Sequence, residues 1–426
     1  MDTIARKTPD PLPLAGWQAL SPAGVAREVH QRVAALPPAL RQAALAYLRP
    51  EQELAVAVAA CPDGTPLRGI PYLLKDLYDV AGLPTNAGSI FLASVRPTLG
   101  ESAMVQRLRK LGAVFAGKTH LVEFASGLTG ENPHYGDCPH PRFPNRLSGG
   151  SSSGSAALVG AGVVPLAIGT DTGGSVRVPA AYCGVYGFRL TPGDELIRDA
   201  FPLSPTCDTA GWFTANAGDM LTVWRAFTGG SATTETPHGC SLAGQRLLEG
   251  IAPDVAAACQ SAAARFTQPA DIATADELVA VWQDAVDAYI IIVMCEANAV
   301  HRNWLAPYRE HYDPVIWQRF TDAGRYPAEK IAAARAALVR NRETWQRFFQ
   351  RYDYLVMPCA PFPALTKAEC TPEARRAMLT FTAPASLGGL PCLTIPVPLP
   401  SGLTAGLQII AREAASPVFN WALVHS

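Results

Sequence analysis

No Cys-x-x-Cys pair and no zinc-type Cys/His spacing occurs among the ten cysteines of this 426-residue chain. That argues against a structural metal and leaves free buried thiols as the reading. Charge is also scarce: charged residues are 17% of the sequence, the formal net charge is -1, and there is neither a basic stripe nor an acidic tail. Nucleic acid and anionic membrane are therefore not expected partners. Little charge beside 49% hydrophobic residues excludes extensive disorder. The opening MDTIARKTPDPLPLAG lacks the basic patch and apolar run of a secretory leader. The longest apolar stretches, such as Ala156 to Gly169 and Ala288 to Met294, fall short of a bilayer span. A soluble, cytoplasmic protein is the expectation. Repeats of solenoid period are absent.

What is present is a chain long enough for two or three domains or one large one. The spacing of Val25, Val29, Val33 and Leu36, then Leu40, Ala44 and Leu48, predicts two short amphipathic helices broken at Pro37-Pro38. GIPYLLKDLYDVAGLPT reads as a buried strand meeting charged residues and a turn. Glu101 to Leu111 predicts a helix, and AVFAGKTHLVEFA a strand passing into another helix. GVYGFRLTPG predicts a further strand and turn, and Gly211 to Phe227 a helix with Met220, Val223, Trp224 and Phe227 on one face. From about Ala232 to Arg351 the texture is Ala-rich, charged and helical. Strand signals return at YDYLVMPCAPFP, LPCLTIPVPLP and GLTAGLQIIAREA. The alternation predicts an α/β chain with a large sheet covered by helices on both faces. The expected organisation is a single domain over 1–426, with an N-terminal helical segment at 1–60 and a helical excursion at 232–351 over the substrate site.

Two Gly/Ser clusters, GGSSSGS and DTGGS, enclose the smooth apolar stretch AALVGAGVVPLAIG. A flexible linker has no use for such a stretch. A phosphate loop would need a Gly-Lys-Ser/Thr ending or GxGxxG spacing, and neither is there. Gly150 to Gly154 satisfies GxSxG in letters, with Ser152 as nucleophile of an esterase elbow. That elbow requires a strand before it, whereas PHPRFPNRLS is rich in Pro and Arg, and its triad would need His238, His301, His311 or His425. This alternative stays open.

The same segment, GGSSSGSAALVGAGVVPLAIGTDTGGSVRVPAAYCGVYGF, resembles the signature of the amidase signature hydrolases. LLKDLYDV resembles the lysine-bearing strand of that family, and GKTHLVEFASG, DTAGWF, LPCLTIPV and GLTAGLQIIA are similar to further family segments. The resemblance runs from Gly69 to Arg412, weakest in the helical excursion, and implies a large mixed β-sheet and amide hydrolysis without a cofactor or metal. An aryl acylamidase-like or urethanase-like member, acting on amide, ester or carbamate substrates, is within that implication. So is an A-type subunit of a multi-subunit amidotransferase, and a catalytically inactive scaffold is the third possibility. The oligomeric state, monomer or homodimer, is left open.

Carried onto matching positions, the resemblance implies Ser175 as nucleophile, Ser151 as a bridging serine after a cis peptide bond, and Lys75 as base. It implies Thr172, Gly173 and Gly174, with Ser175, as backbone donors to the oxyanion, and Ser152, Thr170 and Asp171 as supporting residues. Glu123, Phe124, Ser126, Gly127 and Leu128 match a segment near the acyl pocket. The chemistry is coherent, because a serine hydroxyl needs a neighbour to take its proton and lysine can do so only when neutral. Burial after Ile70 to Leu74 would favour the neutral amine. A plainer reading pairs Lys75 with Asp76 or Asp79, or lets its head reach water. The stretch between the clusters would then be a helix at Ser155 to Ala161 and a strand at Val163 to Ile168 that bring Ser151 and Ser175 together. Arg177 is expected to be structural, pairing within the sheet, with an anion-binding role toward a substrate carboxylate as the alternative. Ser153 departs from the more usual GGSSGGS, where glycine would give the backbone more freedom. Trp304, Tyr308, Trp317, Phe320 and Tyr326 are expected to pack in the core or line an apolar tunnel.

Overall fold

The computed structural model describes residues 10–98, 100–243 and 250–426; the first nine residues of the N-terminal stretch discussed above lie outside them. Among the described residues, ten strands form one sheet: β1 (Leu45–Leu48), β2 (Pro71–Lys75), β3 (Val114–Thr119), β4 (Leu166–Asp171), β5 (Tyr186–Arg189), β6 (Thr209–Thr214), β7 (Gly239–Ser241), β8 (Tyr354–Pro358), β9 (Cys392–Pro398) and β10 (Thr404–Ala411). Their order is β1-β3-β2-β4-β6-β5-β9-β10-β8-β7. The sheet is mixed: β3, β2 and β4 run parallel, β7 is parallel to β8, and the other neighbours are antiparallel.

Helices cover both faces, and strand β5 shows it within two residues. Successive side chains on a strand point to opposite faces. A Cβ at Gly187 would meet Ala180 of the helix Arg177–Cys183, while Phe188 packs edge-on against Phe419 of the helix Pro417–Val424 at 4.9 Å. Central strands are accordingly buried along their whole length, as β2, β4 and β10 are, and read as nearly continuous apolar runs.

Several elements differ from the sequence expectation. The second N-terminal helix (Pro38–Ala44) stops at Ala44, and Leu45–Leu48 become the edge strand β1, so the segment 1–60 is not purely helical. The helix expected after β3 is a single 3-10 turn, Glu123–Ala125, broken by Phe124 at φ 48°. Gly211 lies in β6, and the helix begins only at Ala217, where the Asn216 side chain accepts the Asp219 N–H at 2.9 Å. The helical excursion 232–351 contains a strand, β7, which extends the sheet through β8. The spacer between the clusters is the helix Ser153–Gly160 followed by β4, each shifted from its expected limits, with Gly162 turning the chain between them at φ 72°.

The helices Ile272–Trp282 and Ala285–His301 run end to end, and residues 272–301 have the length and hydropathy of a bilayer span, with 44% of the most apolar window buried in the protein. The second of these helices packs against the helices Pro314–Ala323, Ala328–Phe348 and Pro372–Gly388.

Candidate active site

Parallel pairing of β2 with β4 puts their C-terminal ends at one edge of the sheet, where open α/β sheets bind ligands. Lys75 ends β2, and Thr170 and Asp171 end β4. Between them, the loop ahead of the helix Ser153–Gly160 enters so closely that a Cβ at Gly169 would lie 2.7 Å from Ser152 Oγ. Glycine is required there to admit the serine loop. The Gly150–Ser151 peptide bond is cis. Ser153 is the first residue of its helix, so it adopts a backbone open to any residue and the missing glycine costs nothing locally.

Lys75 is fully buried, and three hydroxyls surround its amine: Ser151 Oγ at 2.7 Å, Thr170 Oγ1 at 2.8 Å and Ser152 Oγ at 3.0 Å. Neither adjacent carboxylate serves it. Asp76 pairs with Lys118 at 2.5 Å, and Asp79 takes both ends of the Arg96 guanidinium at 2.9 Å. Among the described residues Lys75 therefore has no carboxylate in ion-pair range, and the paired-lysine reading is set aside. Burial lowers its pKa to about 7, although Asp171 and Asp208 act to raise it.

Ser175 lies on the loop after β4, buried, with its carbonyl accepting the Ser152 N–H at 3.3 Å. This bond ties the two Gly/Ser clusters together. Among the described residues no hydrogen bond closes the leg from Ser151 Oγ to Ser175 Oγ, a contact that resting enzymes often tighten only with substrate bound.

Asp171 organises the loop. Its carboxylate accepts from the Gly174 N–H (2.8 Å) and the Val176 N–H (3.0 Å), from Arg177 Nε (3.1 Å), and from the terminal nitrogens of Arg177 (3.0 Å) and Arg189 (2.9 Å). Burial pushes this carboxyl up, but the two guanidinium groups more than offset it and hold it well below the usual carboxylate range. The Gly174 N–H is thus already engaged, which removes it from the expected oxyanion donors. Gly173 and Ser175 keep N–H groups without an acceptor among the described residues. Gly174 itself sits at φ 123°, a conformation that side chains disfavour.

Support also comes from far along the chain. Thr382 Oγ1 donates to the Gly173 carbonyl at 2.6 Å, while Arg177 donates to the Thr382 carbonyl at 3.0 Å and to Ser386 Oγ at 2.7 Å. Arg177 is therefore structural, as expected. Thr172 Oγ1 donates to Asp208 at 2.6 Å, and burial lifts the Asp208 pKa to about 6.

A cavity of about 230 Å³ opens at Ser175, walled by Leu128, Leu203, Ile290, Val293, Tyr289 and Leu379 and edged by Arg319, Arg375 and Arg376. Ser126, Gly127 and Leu128 line it as the resemblance implies, but Glu123 and Phe124 do not. Glu123 is buried against His134 (3.0 Å) and the Asp313 N–H (2.7 Å), and Phe124 packs among Phe91, Phe201 and His301. Of the five aromatic residues singled out in the excursion, Tyr326 alone is on the cavity wall; Phe320 is buried beside His301. Asp208, Tyr289, Thr382 and Arg375 were not anticipated. Burial keeps the Tyr289 phenol well above its usual pKa, hence protonated, and a Cβ on Gly173 would fall on its hydroxyl.

The elbow alternative lacks its strand: before Gly150 the chain makes only isolated bridges, Pro139 to Leu147 and Arg146 to Thr366. Three of its four histidines bond elsewhere: His301 to the Tyr312 hydroxyl at 2.9 Å, His238 to the Arg351 carbonyl at 3.0 Å and His425 to the Trp421 carbonyl at 2.7 Å.

Comparison with known proteins gives a concordant result. The sequence model of the family described as Amidase matches residues 25–416. The chain is 31% identical over 379 residues to AtzE of Pseudomonas sp. (strain ADP), a component of 1-carboxybiuret hydrolase, covering 81% of this chain and 80% of the relative. It is 31% identical over 399 residues to the A-type component of the glutamyl-tRNA(Gln) amidotransferase of Symbiobacterium thermophilum, covering 82% and 80%. A solved structure described as an amidase superposes with a TM-score of 0.81 at 29% identity, covering 95% of each chain.

Proposed function

This chain belongs to the amidase family, hydrolases of amide C–N bonds, and from that premise we propose that it cleaves small amides through an acyl-enzyme on Ser175. Ser175 Oγ attacks the carbonyl carbon and passes its proton to Ser151, whose own proton moves to the neutral amine of Lys75. Negative charge then gathers on the carbonyl oxygen, where the N–H groups of Gly173 and Ser175, with that of Thr172, would stabilise it. Collapse of the tetrahedral intermediate breaks the C–N bond as Lys75, through Ser151, returns a proton to the departing amine. Water activated along the same route releases the acid and restores the serine.

The observation that carries this reading is the buried lysine, ringed by three hydroxyls and without a carboxylate partner among the described residues, with a pKa of about 7. A base of that strength is half neutral at ordinary pH, which a paired lysine would not be. The same chemistry extends to aryl esters and carbamates, including urethanes. No cofactor enters any step.

A panel of p-nitroanilides, p-nitrophenyl esters and aryl carbamates, assayed with the purified chain and with Ser175→Ala, tests the proposal. Turnover by the wild type and loss of acylation in the variant on every substrate are expected. Two of the relatives are named as components of larger enzymes, so the assay uses the chain alone. Turnover that appears only with added partner chains would favour an amidotransferase-type component, and undiminished turnover by Ser175→Ala would overturn the serine assignment.

A further inference from the structure

The cavity at Ser175 combines an apolar wall with two guanidinium groups, those of Arg375 and Arg319, that have no close carboxylate partner among the described residues. Arg375, in the first turn of the helix Pro372–Gly388, has a side chain only 20% exposed, and Glu131 Oε2 stands 4.0 Å from its terminal nitrogen. Glu131 is already held by Lys367 at 2.6 Å and by the Thr129 hydroxyl at 2.7 Å. Arg375 Nε is buried with no acceptor among the described residues. Arg319, across the same edge on the helix Pro314–Ala323, gives one N–H to the Ser126 carbonyl at 3.3 Å and makes no ion pair among the described residues. Arg376 is different, since Asp287 takes it at 2.7 Å on the exposed side.

Removing a guanidinium from water without a firm carboxylate partner is unfavourable, and burial accordingly pulls the Arg375 pKa down, with Glu131 and Asp313 opposing it. Such groups gather where a ligand supplies the missing charge. The planar fork of arginine donates two parallel N–H bonds to a carboxylate, the anionic group that simple amides commonly carry.

We infer that the amide received by this cavity carries a carboxylate, bound by Arg375 with Arg319 beside it, while its apolar part lies on Leu128, Leu203, Ile290 and Val293. This rests on the Ser175 reading above and narrows it to acidic amides. Two kinds share that chemistry: half-amides of dicarboxylic acids, with the charge on the acyl side, and amides of amino acids or aminobenzoates, with the charge on the amine side.

The test compares acid with neutral isostere in both kinds, using the full chain. Glutaric acid mono-4-nitroanilide is set against its methyl ester, and 4-acetamidobenzoate against its methyl ester. In one of the two pairs the wild type is expected to favour the acid in kcat/KM by about ten-fold or more, the scale of a hydrogen bond to a charged group. Arg375→Gln should reduce that ratio by about ten-fold, chiefly through KM, and Arg375→Lys should retain part of it. If Arg375→Gln does not fold, Arg319→Gln must lower the ratio about three-fold or more. A wild-type ratio near or below one in both pairs overturns the inference whatever the variants do, as does a preference that survives Arg375→Gln. Ser175-dependent turnover without acid preference defeats this inference alone. Absence of turnover on all four compounds, or turnover indifferent to Ser175→Ala, defeats the acyl-enzyme reading with it.

Discussion

Lys75 donates to Ser152 and cannot receive from it. The single hydroxyl proton of Ser152 goes to the Thr170 carbonyl at 3.0 Å, and its lone pairs accept from the Thr170 N–H at 3.2 Å and from Lys75 Nζ at 3.0 Å. Every valence is used, so Ser152 has neither a free lone pair for attack nor a proton to exchange with the amine. Of the two serines bonded to Lys75, Ser151 carries no such further bonds among the described residues, which suits it to the proton transfer proposed above.

The first prediction separates the two serine assignments. Ser152→Ala should keep measurable acylation, reduced by the loss of one positioning bond to Lys75, whereas Ser175→Ala should abolish labelling by a fluorophosphonate. Labelling kinetics followed by intact-protein mass measure both. Loss of labelling only in Ser152→Ala would restore the elbow mechanism.

Proton transfer to Lys75 sets a pH limb. The neutral amine is the working form, so log kcat/KM should climb with unit slope below about pH 7 and level off above it. Lys75→Met should lower kcat/KM by about 10²- to 10⁴-fold, the range general bases supply. Asp208 raises the Lys75 pKa through its charge. Asp208→Asn removes that charge and should move the limb to lower pH, read as a rise in the ratio of activity at about pH 6 to that at about pH 8; a shift the other way would contradict the electrostatic account.

Asp171 bears on stability. Asp171→Ala leaves Arg177 and Arg189 buried without their counter-charge, a loss of about 3–5 kcal/mol. A urea titration should show the midpoint fall with little change in slope. Because the folded carboxyl titrates far below its usual range, its contribution to the wild type is fully present above about pH 4 and fades as the pH falls further.

Gly173→Ala tests the contact with Tyr289. The added methyl has to displace the phenol or the loop, and small misplacements of reacting groups cost up to about 10²-fold in rate. The expected result is a drop of at least about ten-fold in kcat with the urea midpoint nearly unchanged.

Much of the site could be read from the letters because its parts sit on elements whose order is preserved in one stretch. Lys75 closes an apolar run, and Ser151 and Ser175 flank a helix and strand of small residues. What escaped reading came from packing between distant segments. Tyr289 belongs to AYIIIVMC, where pattern indicates only a buried helix, and Arg375 stands in an ordinary helical first turn. Trp212 and Phe213 were drawn into a helical spacing, yet Trp212 stacks on Phe188 of the neighbouring strand, a partner visible only once the sheet is formed. Phe124 at φ 48° broke an expected helix through a backbone state that no residue type announces there.

The clamp of Thr382 and Ser386 on Gly173 and Arg177 joins residues about two hundred positions apart. A polypeptide ending before Pro372 would contain Lys75, Ser151 and Ser175 yet lack Thr382 and Ser386, which together with Asp171 hold the loop that bears Ser175. During synthesis the loop that bears Ser175 would therefore gain its last supports late, only after the helix Pro372–Gly388 had left the ribosome.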